Sequence, residues 1–138
     1  MDISFFIIDT ESLEVQYAGA YNPLYIIRKD DSEQSGYKLI RLKADRQPIG
    51  IHIREKDFTN HIFQLQKGDT LYAFSDGYID QFGGETGGKF KTARFKNLLI
   101  DIQDKSMSEQ HLILEHNFEK WKGDTEQIDD VLVIGMRM

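Results

Sequence analysis

Lys67-Gly68-Asp69-Thr70-Leu71-Tyr72-Ala73-Phe74-Ser75-Asp76-Gly77 is the stretch that decides the fold. Its centre, Leu71–Phe74, is a short apolar run, and a second such run, Ile62–Leu65, precedes it. Gly68-Asp69 between two apolar runs is a hairpin-turn signal. At the far end Asp76 stands where the strand finishes, and Gly77 lets the backbone turn sharply behind it. The stretch predicts a strand that delivers a carboxylate to the edge of a sheet.

Upstream, the pattern keeps a period of two. Ile3–Thr10 is strongly apolar, Thr10-Glu11-Ser12 is a polar turn, and Leu13, Val15 and Tyr17 alternate with polar residues, which predicts a hairpin. Small residues and a proline, Ala18 to Pro23, interrupt it. Leu24–Arg28 resumes the pattern, Asp30–Gly36 is a hydrophilic loop, and Tyr37–Leu42 is the returning strand. A less regular stretch runs to Asn60. The first strand begins almost at residue 1 with no lead-in, as if cut from something longer.

Downstream, the period changes. Phe95, Leu98, Leu99 and Ile102 fall on one helix face. Ser106 with Glu109 three residues later reads as a capping box. The helix it opens carries Met107, His111, Leu114, Phe118 and Trp121 on one face and stops at Gly123. Val131–Ile134 is a continuous apolar run and reads as a central strand. Strands over 1–80, two helices over about 92–122 and a closing strand over about 130–137 make one α+β domain spanning 1–138.

Composition sets the outer bounds. The chain has 138 residues, 40% hydrophobic and 12% aromatic, which suits a packed core. Its net charge of −6 disfavours nucleic acid as a partner, and the basic residues read as scattered solvated surface. With no cysteine there is no disulfide framework, thiolate metal site or cysteine nucleophile, which suits a reducing cytoplasm. No apolar run approaches the roughly 18 residues of a membrane span, and no leader pattern is present.

Few residues carry legible chemistry. Asp76 and Asp80, around Gly77, form one acidic group; Asp129-Asp130, before the last strand, forms another. If the two strands are neighbours, Asp76 and Asp129 meet at one sheet edge, where hard oxygen ligands suit Mg²⁺ or Mn²⁺. Asp-Gly is also an ordinary turn and Asp-Asp an ordinary polar lead-in to a strand, so spacing alone leaves both readings open. His111 and His116 are five apart, the wrong spacing for two ligands on one helix face; His111 on the apolar stripe reads as packed and hydrogen-bonded. His52 and His61 have no patterned partner. Gly83–Gly88 lacks the Lys-Ser/Thr of a nucleotide loop and reads as a flexible surface loop. Tyr17, Tyr21 and Tyr25 at strand spacing read as core, and no Ser-His-Asp grouping emerges.

Four segments taken in order add more. Tyr17–Leu24 resembles the A-G-H-x-P segment of sporulation-type phosphatases, within the metal-dependent PPM (PP2C-like) superfamily. Pro48-Ile49-Gly50-Ile51 resembles their P-L-G segment, and Lys67–Gly77 their G-D-x-L-x-x-x-T/S-D-G signature. Gln127–Ile134 is similar to their closing D-D-x-T-L-V-V strand. The resemblance spans nearly the whole chain. It implies a β-sandwich flanked by helices, incomplete at its N-terminal side, and a protein serine/threonine phosphatase with two divalent metals, Mn²⁺ or Mg²⁺. It makes Asp76 and Asp129 metal ligands and Asp80 a further contributor, with Gly77 and Asp130 as their neighbours in the metal loops. Hydroxide on the metals would attack phosphorus, and the substrate would be a phosphoprotein in bacterial regulatory signalling.

The departures from the family pattern shape the remaining expectations. The early D-G-x-G-H-G segment, which supplies the metal-bridging aspartate, has no counterpart here; the only Asp-Gly is Asp76-Gly77. Tyr21 stands at the family's histidine and Leu132 at its threonine. The parent is therefore expected to be a phosphatase, with a sensor domain upstream, and this piece to be inactive or nearly so. The alternative is a catalytically inactive phosphatase-like module that binds a phosphoprotein or a partner domain. Sheet edges left uncovered predict self-association.

Overall fold

The computed structural model describes residues 1–50 and 56–138. Ile51, the last residue of the Pro48–Ile51 segment, and His52 lie outside the described residues. In chain order the elements are β1 (Ile3–Ile8), β2 (Glu14–Ala20), β3 (Leu24–Lys29), β4 (Tyr37–Leu42), β5 (His61–Gln64), β6 (Thr70–Phe74) and α1 (Gly77–Asp80). They continue with β7 (Phe82–Gly83), β8 (Gly88–Lys89), α2 (Thr92–Asp101), α3 (Met107–Lys122) and β9 (Val133–Arg137).

Two antiparallel sheets stack face to face, one ordered β1-β2-β5 and the other β4-β3-β6-β9. Side chains alternate across each strand, so β3 and β6 feed two separate cores. Leu24, Ile26, Leu71 and Ala73 meet Val15, Tyr17, Leu42 and Leu65 between the sheets. Tyr25, Ile27, Tyr72 and Phe74 point the other way, onto Phe95, Leu99, Ile102, Leu114 and Phe118 of the helical layer. Every residue of β6 is buried for that reason.

The β1–β2 hairpin forms as the alternation predicts, with Ile8 opposite Val15. Asp9 closes it by accepting hydrogen bonds from the backbone N–H groups of Glu11 and Ser12 (2.9 and 3.1 Å). Those bonds hold its carboxyl below the usual carboxylate range. Strand β2 runs on through Ala18-Gly19-Ala20, where the sequence suggests a break. The small residues have a packing cause: Tyr17 folds over Gly19 and donates to the Asn22 carbonyl (2.7 Å).

Lys67-Gly68-Asp69 is not a hairpin turn. Strand β5 pairs with β2 in one sheet and β6 with β3 and β9 in the other, so the segment carries the chain between layers. Its Asp69 is buried at 1% exposure and takes a two-pronged ion pair from Arg28, Nε to Oδ1 at 2.9 Å and Nη2 to Oδ2 at 2.6 Å. The same carboxylate accepts from the Gln66 N–H (2.8 Å), while the Asp69 carbonyl accepts from Met138 N (2.9 Å). The aspartate thus fastens β3, the crossover and the chain's last residue together. The guanidinium also lies over the Phe63 ring, 5.3 Å from its centroid.

Three further expectations need correction. The closing strand is an edge strand among the described residues, not a central one, and Leu132, Ile134 and Met136 are 55%, 44% and 41% exposed. His111 is exposed; the polar residue packed on that helix is its neighbour Gln110. Gln110 accepts from the Tyr72 hydroxyl and donates to the Ile102 carbonyl (3.0 Å), while Gln103 donates to Tyr72 Oη (2.7 Å). The glycine-rich segment is an ordered hairpin, β7–β8, with Gly83 against the Trp121 backbone, where any side chain would collide. The Ser106–Glu109 capping box is present as read.

The Arg28–Asp69 pair yields a stability prediction. Asp69→Ala removes three hydrogen-bond acceptor contacts at a buried site and is expected to cost about 2–4 kcal/mol. Arg28→Met, which leaves the carboxylate unpaired, should cost a similar amount, and the double variant less than the sum. Urea unfolding of the set measures this; an Asp69→Ala midpoint equal to the parent's would refute the role.

Candidate functional site

The site forms where β6 leaves the sandwich. Tight burial fixes the strand up to Phe74, and the next three residues are clamped to the segment preceding β9. Ser75 N donates to the Leu132 carbonyl (3.0 Å), Ser75 Oγ donates to the Asp130 carbonyl (2.8 Å), and Leu132 N donates back to Ser75 Oγ (3.0 Å). Gly77 presses onto the same Asp130 carbonyl so closely that a Cβ would overlap it. Here glycine is required by contact with backbone, which cannot rotate away.

This clamp brings the two acidic groups together. Asp76 is the N-cap residue of the single-turn helix α1, yet its side chain makes no capping hydrogen bond, so its oxygens are not spent on the helix. Asp129 Oδ1 accepts from the Asp130 N–H (2.8 Å), which orients that carboxylate. Asp80 lies one helical turn beyond Asp76, with Asp80 N donating to the Asp76 carbonyl (2.9 Å). Its carboxylate holds Lys89 of β8 at 3.1 Å. Partial burial pushes the Asp76 carboxyl above its ordinary pKa, and the charges of Asp129, Asp80 and Asp2 add to the effect.

Of the candidate ligands legible in the sequence, Asp76, Asp80 and Asp129 therefore share one electrostatic neighbourhood, with Gly77 and Asp130 forming the contact that places them. Ser75 is missed by reading for ligands, although its hydroxyl makes two of the three clamp bonds; the serine of the S-D-G triplet is the available signal. Asp2 and Lys89 carry no pattern at all and are brought in by the fold. Tyr21, at the position of the family's histidine, is exposed with φ at 58°.

The donor chemistry fits a hard divalent cation. All three side chains offer carboxylate oxygens, and the charges of Asp129 and Asp80, which add to the effect of burial on Asp76, are what a nearby cation would offset. Among the described residues, no three His, Cys, Asp or Glu side chains lie close enough to cage an ion. One or two carboxylates completed by water is the ordinary demand of Mg²⁺. No helix among the described residues is long and apolar enough to cross a membrane.

Comparison with known proteins bears on this arrangement. The family model for stage II sporulation protein E (SpoIIE) matches residues 1–138. Among solved structures, the chain is similar to the SiaA-PP2C domain of Pseudomonas aeruginosa, with a TM-score of 0.84 and 28% identity over 99% of this chain. It is also similar to the PP2C phosphatase domain of the cell fate determinant SpoIIE from Bacillus subtilis, solved with a fragment of its regulatory domain (TM-score 0.72, 22% identity, 99% of this chain). A manganese-presoaked structure of the SpoIIE phosphatase domain superposes with a TM-score of 0.69 at 19% identity over 99% of this chain. The matched region is 51%, 37% and 56% of those three chains, so this chain spans about half of such a domain. No curated protein sequence matches it. A family match over every residue, joined to the same sandwich and helices, places the chain in the SpoIIE family of PP2C-like phosphatase domains.

Proposed function

We propose that this chain is the larger, C-terminal part of a metal-dependent phosphoserine/phosphothreonine protein phosphatase domain. The observation that supports the reading is the clamp of Ser75 and Gly77 on the Asp130 carbonyl, which sets the end of β6 that bears Asp76 against the segment that bears Asp129, in a chain of this family. Asp76 and Asp129 would hold one Mn²⁺ or Mg²⁺, with Asp80 contributing; the complete domain would hold two ions. The bound ions supply an activated water and neutralise phosphate charge. The chain's own part is to hold the carboxylates. Asp76 is kept free of capping bonds, Asp129 is oriented by the Asp130 N–H, and Asp80 is restrained by Lys89.

In this reading the substrate is a phosphoprotein of bacterial regulatory signalling, the setting is the cytoplasm, and a sensor domain precedes the phosphatase in the parent. The chain by itself is inactive or nearly so, because two or three carboxylates on one ion leave a second ion unheld. A phosphatase-like binding module is the reading that takes over if the complete domain is inert.

Manganese-dependent hydrolysis of p-nitrophenyl phosphate separates the two. The 138-residue chain should show little turnover and a version extended upstream should be active. Asp76→Asn should lower the extended protein's rate by about 100-fold or more. An extended protein that folds and binds Mn²⁺ but turns nothing over would move the binding-module reading ahead.

The outer face of the first sheet exposes Phe5, Ile7 and Ile62 at 58%, 60% and 63%, and β1 and β9 each have one unpaired edge among the described residues. Such surface favours association. Light scattering at micromolar concentration should show a species larger than a monomer, and Phe5→Lys with Ile62→Lys should shift it to monomer. A sharp monomer for the parent sequence excludes self-association.

A further inference from the structure

Residues 86–100 carry Lys89, Lys91, Arg94 and Lys96 and no acidic residue, in a chain whose net charge is −6. The fold gathers three of these cations around one cavity. Between the β7–β8 hairpin and the first turn of α2 lies a cleft of about 280 Å³ lined by Thr86, Lys89, Lys91 and Arg94, with the rings of Phe90 and Trp121 forming its apolar wall. No carboxylate lines it among the described residues. Lys91 and Arg94 are exposed and form no salt bridge among the described residues, while Lys89 reaches Asp80 at 3.1 Å.

We propose that this cleft is a docking subsite for an acidic segment of the phosphoprotein substrate, next to the phosphorylated residue. The identification of the segment as substrate rests on the phosphatase reading above; the affinity for an acidic peptide does not. The Arg94 guanidinium stacks 4.1 Å from the Trp121 ring centroid and 5.5 Å from that of Phe90. Stacking fixes the plane of the fork and leaves its N–H donors at the edge, the arrangement that receives a carboxylate in two-pronged fashion. Trp121 is itself anchored, donating from Nε1 to the Gln81 carbonyl (2.9 Å) and accepting from Gly84 N (2.8 Å) at its own carbonyl. Lys91 is held at φ 74°, a conformation unusual for a residue with a side chain, by its N–H bond to the Ile79 carbonyl (2.8 Å). The Lys89–Asp80 contact joins the cleft to the acidic site, so a peptide could lie across both. An acidic peptide is favoured over nucleic acid because the chain as a whole is anionic, with a net charge of −6, and the cations gathered at this cleft are few.

Fluorescence anisotropy of a dye-labelled hexaglutamate peptide, with a hexaglutamine peptide as control and neither metal nor phosphate present, tests the subsite in the 138-residue chain. The acidic peptide should bind at low salt and the neutral one should not. Arg94→Gln should weaken binding about two- to fivefold. Lys91→Gly should do the same, and it relieves the positive φ as it removes the charge, so a folding defect cannot explain its loss. Lys38→Gln, on strand β4 and outside the cleft lining, should leave affinity unchanged. Equal binding of both peptides, no binding, or an equal loss in Lys38→Gln overturns the proposal. Because the assay contains no turnover, its failure leaves the phosphatase reading standing, and an inert extended enzyme leaves the binding result legible.

Discussion

The double-sided burial of Thr70–Phe74 is the constraint on which the rest depends. A strand with no wet face must pair every backbone polar group within the protein, so β6 is obliged to lie between two neighbours, β3 and β9. Its side chains must then satisfy two cores at once. Leu71 and Ala73 fill the gap between the sheets, and Tyr72 and Phe74 support the helices. Even the one polar tip among them is fully used, since Tyr72 Oη is enclosed by Gln103 and Gln110. A strand held this way has little freedom in register or direction, and the chain leaves its end at a fixed point.

Ser75-Asp76-Gly77 occupies that exit, and its fixed position explains how carboxylates far apart in sequence become neighbours. The β6–β9 pairing brings Phe74 opposite Val133. The serine and glycine extend that contact beyond the last ladder pair by gripping the Asp130 carbonyl. Asp76 and Asp129 are then held together by backbone and packing, against their own repulsion. Partial burial is the larger reason the Asp76 carboxyl lies above its ordinary range, and the charge of Asp129 adds to it. Sites that bind charged groups are commonly built this way, with stability elsewhere maintaining an arrangement that is unfavourable locally.

How much of this can be read from the sequence depends on the range of the signal. Local signals are legible: the Ser106–Glu109 cap, the Thr92–Asp101 helix face and the β1–β2 hairpin each arise from residues within one or two turns of one another. Lys67-Gly68-Asp69 misleads because a glycine-aspartate turn looks the same whether the next strand returns to its own sheet or crosses to another. The difference lies in Arg28, thirty-nine residues before Lys67, whose pairing with Asp69 no local pattern reveals. The closing run Val131–Ile134 looks central because apolar continuity measures the partners a strand is built for, and among the described residues it has only one. His111 shares the apolar stripe by spacing, yet the helix turns Gln110 inward instead. A buried amide is invisible to a hydrophobic pattern.

For the candidate site, the carboxylates are legible as types and in order, while the groups that position them are not. Asp76 and Asp129 stand out as acids beside apolar strands, but nothing near either one announces the other. Lys89, Lys91 and Arg94 look like scattered surface charge because each is one residue in a polar stretch. Only when the hairpin folds back on Trp121 do they share a wall. The result is that acids crowd the end of β6, cations line the cleft beside it, and the Asp80–Lys89 pair joins the two. Segregating them sets up opposite fields at adjacent points, which can orient an extended ligand bearing more than one charge.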